Sequence, residues 1–195
     1  MQRLPKTVKG KILFIHGFGS CGKGNKVQAL KRHFGERRLI TPDLPVSPSQ
    51  SIQQLQQLIE RYQPDATISS SLGSYYATWL NKQYQFPAVL INPAVNAANL
   101  LLSYTGTHTH WCTAETFELT RLHIEELRQL YRPSISHDEN YLVLLQDKDE
   151  VLDYRQAVEY YQGQQVIIEA GGNHRFENLN NYLTTIEAFF VQAGL

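Results

Sequence analysis

Ile68-Ser69-Ser70-Ser71-Leu72-Gly73-Ser74 joins a short apolar run, residues 66–69, to a helical pattern that begins at Leu72. A sharp strand-to-helix turn can push one serine hydroxyl out at the top of a sheet. Strand and helix backbones then approach closely, so the residues two before and two after that serine must be small. Ser71 satisfies this rule with Ser69 and Gly73. Ser70 would need Ile68 and Leu72 there, Ser74 would need Leu72 and Tyr76, and Ser69 would put branched Thr67 at the tight position. The plainer alternative is a serine-rich loop that caps the helix, since serine is a favoured N-cap residue.

Outward from this turn, short apolar runs alternate with longer amphipathic ones, the pattern of a parallel α/β sheet. Strands are expected at 12–16, 38–41, 66–69, 88–92, 141–146 and 165–170, and helices at 23–34, 49–62, 72–83, 153–162 and 178–192. Most strands lack polar alternation, as expected where both faces are covered. Residues 96–140 interrupt the rhythm with a connection longer than a simple crossover needs. Leu119, Leu122, Leu127, Leu130 and Tyr131 suggest one helix inside it. The expectation is one domain over residues 1–195, with 96–140 as a lid-like insertion.

Two further loops carry chemistry. Asp147-Lys148-Asp149-Glu150-Val151 follows the fifth expected strand and Gly171-Gly172-Asn173-His174 follows the sixth. A serine nucleophile needs a base and a group that orients the base. Strand-end loops of this kind can bring Ser71, Asp149 and His174 together above one sheet, in the chain order Ser, Asp, His. Asp147 is expected at the strand end and Asp153 as a helix cap, with Glu150 or Asp147 as substitutes for Asp149.

Gly17-Phe18-Gly19-Ser20-Cys21-Gly22 after the first strand fits GxGxxG, with Asp43 about twenty residues on. Read with Lys23 it nearly fits a phosphate loop, but Gly24 stands where magnesium needs Ser or Thr. A nucleotide-binding protein using Gly17 to Lys23 is therefore one rival reading. Against it, His16 crowds the loop and Asp43 is wedged between prolines. Beside a nucleophilic Ser71 the same loop would supply an oxyanion amide at Phe18, with Leu72 supplying the other. His16 would hold the loop or border the substrate. Tyr104 and Trp111, from the insertion, are expected as pocket walls.

Composition narrows the partners. The 195 residues carry 18 basic and 18 acidic side chains, a formal net charge of zero. That balance gives no electrostatic case for nucleic acid or a membrane surface. No apolar run is long enough to span a bilayer, and none near the start reads as a leader. Cys21 and Cys112 are too few for a disulfide framework, so reduced thiols and a cytoplasmic setting are expected. His108, His110 and Cys112 match zinc spacings poorly, and no metal is expected. Lys6, Lys9 and Lys11 form a small basic cluster, read as solvated.

Several stretches resemble the YqiA-like esterases, small bacterial α/β-hydrolases. They are Leu13-Phe14-Ile15-His16-Gly17-Phe18, Ser70-Ser71-Leu72-Gly73, Tyr75-Tyr76-Ala77-Thr78-Trp79-Leu80, Asn92-Pro93-Ala94-Val95, the run from Asp149 to Val158, and Gly171-Gly172-Asn173-His174. The resemblance implies an α/β-hydrolase fold without the first antiparallel strands. Its open, mainly parallel six-stranded sheet would have the order 2-1-3-4-5-6 and helices on both faces. It implies action on acyl esters or thioesters, a small-molecule partner and no cofactor, with Ser71 as nucleophile, Asp149 as acid and His174 as base. Ser69 and Ser74 depart from the family pattern, which has glycine there, and Gly19-Ser20-Cys21-Gly22 departs after His-Gly-Phe. A non-catalytic relative serving as a binding module is the second rival.

Overall fold

A computed structural model describes residues 8–195. Lys6 of the basic cluster and most of the stretch read for a leader lie outside them. The main sheet is built from β1 (Ile12–Ile15), β2 (Leu39–Ile40), β3 (Ala66–Ser70), β4 (Ala88–Ile91), β7 (Tyr141–Gln146) and β8 (Gln165–Glu169). Its strands are parallel in the order β2-β1-β3-β4-β7-β8. This is the expected order 2-1-3-4-5-6. The last two labels move up because a small hairpin, β5 (Gly106–Thr109) and β6 (Thr116–Leu119), precedes them in the chain.

Each central strand buries both faces, which is why its sequence reads as an unbroken apolar run. Leu13, Ile15, Leu90, Val143 and Leu145 point to one side, where they meet Ile52, Leu55 and Ile59 of α2 (Pro48–Tyr62) and Leu72, Tyr75, Tyr76 and Leu80 of α3 (Leu72–Tyr84). Ile12, Phe14, Ile68, Val89, Ile91, Leu142 and Leu144 point to the other. There they meet α1 (Asn25–Phe34) through Val27, Leu30 and Phe34, and α7 (Leu183–Gln192) through Ile186, Phe189 and Phe190. Full burial of one such aliphatic side chain is worth about 2 kcal/mol, so the two layers hold the strand ends rigidly.

Between β4 and β7 the chain forms α4 (Ala97–Leu102), the β5–β6 hairpin and α5 (Arg121–Gln129); α6 (Tyr154–Tyr160) follows β7. The helix suggested by the leucine spacing is α5, and Thr120 caps it by accepting from the His123 amide. The hairpin was not expected, because Gly106-Thr107-His108-Thr109 offers no apolar alternation. Several bonds tie the segment to the body. Glu126 of α5 accepts from the Ser49 amide and from the Ser47 and Ser49 hydroxyls, and the Tyr75 hydroxyl donates to Leu127 O. Just beyond α5, Arg132 forks onto Glu139 at 2.7 and 2.8 Å.

The expectation of reduced thiols is corrected. Cys21, in the glycine-rich loop, and Cys112, in the hairpin turn, are joined in a disulfide across 91 residues. Neither cysteine is then available to a metal, and no group of three or more His, Cys, Asp or Glu among the described residues could hold one. Among the described residues no helix is long and apolar enough to cross a membrane.

Candidate active site

Ser71 sits between β3 and α3 with φ 54° and ψ −121°, a conformation a non-glycine residue adopts only under constraint. The constraint comes from β4 and its exit: the Ser71 amide donates to Ile91 O at 3.0 Å, and the Ala94 amide donates to Ser71 O at 3.2 Å. Close packing of strand and helix is equally visible. A Cβ added at Gly73 would lie 2.1 Å from Ile15 O, so the small-residue rule that singled out Ser71 reflects a real approach of backbones. Ser69 and Ser74, the two departures from the family pattern, place their hydroxyls 3.1 Å apart and fully buried. Each serine gives the other a hydrogen-bond partner, so two buried hydroxyls are accommodated where the pattern has none.

His174 reaches this turn from the loop after β8. Its Nε2 lies 3.0 Å from Ser71 Oγ, and its Nδ1 lies 2.8 Å from Asp149 Oδ2 and 3.0 Å from Oδ1. A carboxylate accepts only, so Nδ1 carries the proton and Nε2 presents its lone pair to the serine. The Asp149 side chain is 2% exposed, and its Oδ1 also accepts from the Val151 and Leu152 amides. Those two bonds fix the carboxylate at the tip of a turn.

The other acids of the turn have separate partners. Asp147 accepts from the Gly171 amide at 2.7 Å, and Glu150 accepts from the His174 amide at 2.9 Å. That amide holds the Glu150 carboxyl below the usual glutamate range. Neither Asp147 nor Glu150 is bonded to the imidazole. Asp153 caps α6, accepting from the Arg155 amide.

The glycine-rich loop faces the serine from β1. A Cβ on Gly17 would lie 3.1 Å from Ser71 Cβ, which brings the backbone entering Phe18 against Ser71. Leu72 is the first residue of α3, where an amide has no partner within the helix. His16 is buried. Its Nδ1 donates to Gly17 O at 2.8 Å, and its Nε2 accepts from the Leu44 amide at 3.0 Å. Burial lowers its pKa, which keeps the ring neutral and able to accept. Asp43, the acid a nucleotide site would need, instead accepts from the Gly22 amide at 2.7 Å and so ties the loop to the segment after β2. A Cβ on Gly22 would meet Thr41 O at 2.1 Å, which gives that glycine a packing reason.

A shallow, partly open cavity lies between this loop, α3 and the hairpin. Besides His16 and Gly17, it is lined by Phe18, Leu44, Val46, Tyr76, His110 and Phe117. Of the expected wall residues, Tyr104 is 48% exposed and is not part of the lining. Trp111 is 76% exposed; its amide donates to Gly19 O and its ring stacks under Arg175. The hairpin does form the wall, but with His110 and Phe117. Phe18 meets Phe117 edge-on at 5.3 Å and His108 at 5.2 Å. The signal for Phe117 was the period-two alternation of Thr116-Phe117-Glu118-Leu119, too short to read alone.

The model of UPF0227, described as an uncharacterised protein family, matches residues 11–191. Among solved structures, the chain is similar to Est1E from Butyrivibrio proteoclasticus in its ferulic acid complex. That match has 11% identity and TM-score 0.71, and it covers 96% of this chain and 90% of the other. Mouse alpha/beta hydrolase domain-containing protein 10 matches at 16% identity and TM-score 0.70, over 95% and 92% of the two chains. A Paleococcus ferrophilus monoacylglycerol lipase matches at 11% identity and TM-score 0.66, over 93% of each. At these identities the likeness is one of fold, and the fold is that of the α/β-hydrolases.

Proposed function

The chain belongs to the UPF0227 family, and from its α/β-hydrolase fold and the geometry of the Ser71 turn we propose that it is a serine hydrolase cleaving acyl esters or acyl thioesters. One observation carries the proposal: an unbroken hydrogen-bonded line from Ser71 Oγ through the His174 ring to Asp149. Each member stands on a different strand-end loop, and the serine is held in a constrained turn.

In the proposed reaction His174 Nε2 takes the Ser71 proton as Oγ bonds to the acyl carbon. The imidazolium then gives that proton to the leaving alcohol or thiol as the tetrahedral intermediate collapses to an acyl-serine. Water repeats the sequence, with its proton passing through Nε2, and releases the carboxylic acid and free Ser71. Asp149 keeps the ring in the productive tautomer and offsets its charge. The Phe18 and Leu72 amides would hold the oxyanion, each such donor being worth roughly 3 kcal/mol. No step calls for a cofactor.

The acyl group would lie in the cavity beside Phe18. Tyr76 and Phe117 bound it, and the hairpin is bonded to the glycine-rich loop, so we treat residues 96–140 as a standing wall. Short acyl chains should therefore be preferred. In a p-nitrophenyl ester series, kcat/KM is expected to be highest between acetyl and butyryl and to fall as the chain lengthens. Rising efficiency through dodecanoyl would show that the wall yields.

A further inference from the structure

The base stands on a half-buried loop whose apolar anchor, Phe176, comes only two residues after it. Gly171 and Gly172 both have positive φ, and neither contributes a side chain to anchor the turn. Up to His174 what holds the loop is polar, and it centres on a residue outside the proposed triad. Asn92 follows β4, is 2% exposed and adopts φ 40°. Its Nδ2 donates to Asn173 O at 3.1 Å and to His174 O at 3.3 Å, while its Oδ1 accepts from the Gln146 amide at 3.0 Å. Gln146 Oε1 then accepts from the Asn173 amide at 2.8 Å. Asn92 thus holds the carbonyl of the peptide entering His174, Glu150 accepts from that peptide's amide, and Gln146 holds the peptide before it.

From these contacts we infer that Asn92 is a positioning residue for the base: it sets the height and tilt of the His174 ring over Ser71 by clamping the Asn173 and His174 carbonyls. Asn92 touches neither Ser71 Oγ nor the imidazole, and it is absent from the lining of the cavity. Its loss should reach the reaction through the position of His174, because the Ile91 carbonyl and Ala94 amide that hold Ser71 on either side of Asn92 are backbone groups that the substitution leaves in place. A carboxamide is needed because one end must donate to carbonyls while the other accepts from an amide. Aspartate has the same shape but would turn a carboxylate toward two carbonyl oxygens.

The inference rests on the proposed role of His174, and its test reads both activity and the ring itself. Asn92→Asp and Asn92→Gly are compared with the wild type; glycine tolerates the positive φ and leaves room for water. On p-nitrophenyl butyrate, kcat is expected to fall by about 10²-fold, the scale of a misplacement near 1 Å, with KM unchanged. The downfield proton resonance of an imidazole Nδ1–H bonded to a carboxylate, assigned by its loss in His174→Ala, is expected to broaden or vanish in both variants. Circular dichroism should stay native for at least one of them. A folded variant that keeps both the wild-type kcat and the resonance overturns the inference. A wild type without activity would instead remove the hydrolase reading, and the resonance would still decide whether Asn92 positions the ring.

Discussion

The His174→Ala variant is expected to keep no more than about one part in 10⁴ of the wild-type kcat on p-nitrophenyl butyrate, with KM little changed. The imidazole is the one group bonded to both Ser71 Oγ and Asp149. Without it a neutral hydroxyl must attack unaided, and no base activates the water that cleaves the acyl-serine. A loss of 10⁴ in rate corresponds to about 5.5 kcal/mol of transition-state stabilisation. The fold should survive, because His174 lies on a half-buried loop whose backbone bonds to Asn92 and Glu150 do not use the ring. Residual activity within about tenfold of the wild type would mean that another group takes the proton.

Breaking the Cys21–Cys112 link is expected to have the largest effect on stability. It closes a loop of 91 residues, and the chain-entropy argument gives a cross-link of that span about 4.6 kcal/mol. For a chain of this length that corresponds to a fall of roughly 10 °C in Tm. Dithiothreitol and Cys112→Ser should lower Tm alike, and the reductant should add nothing to the variant. The consequence would reach the site, because the hairpin backs Phe18 through Phe117 and His108. Equal melting of wild type and variant without reductant would show that the link adds nothing to stability.

Most of the sheet could be read from residues alone, for a physical reason: strands buried on both faces leave unbroken apolar runs between turn residues. Ser71 was legible because the turn excludes bulk at two flanking positions, and Gly73 against Ile15 O shows that exclusion directly. His174 and Asp149 were legible as polar residues in strand-end loops, one of them flagged by two glycines. The hairpin was not legible, since its strands are short, polar and exposed on one face. The disulfide was missed because pairing across 91 residues is a fact of tertiary approach, and composition argued only against a framework. Asn92 and Gln146 left a faint trace. Each is a carboxamide at the end of an apolar strand, where a buried polar side chain must find partners, but nothing local says that the partners lie in the His174 loop.

The reactivity of Ser71 tests the central proposal most directly. A fluorophosphonate probe attacked by an activated serine forms a stable phosphonyl ester, and peptide mass spectrometry locates it. The expected result is a single modified residue, Ser71, with labelling abolished in Ser71→Ala and in His174→Ala. An unlabelled wild type, or a label that persists on another serine in the Ser71→Ala protein, would contradict the proposal.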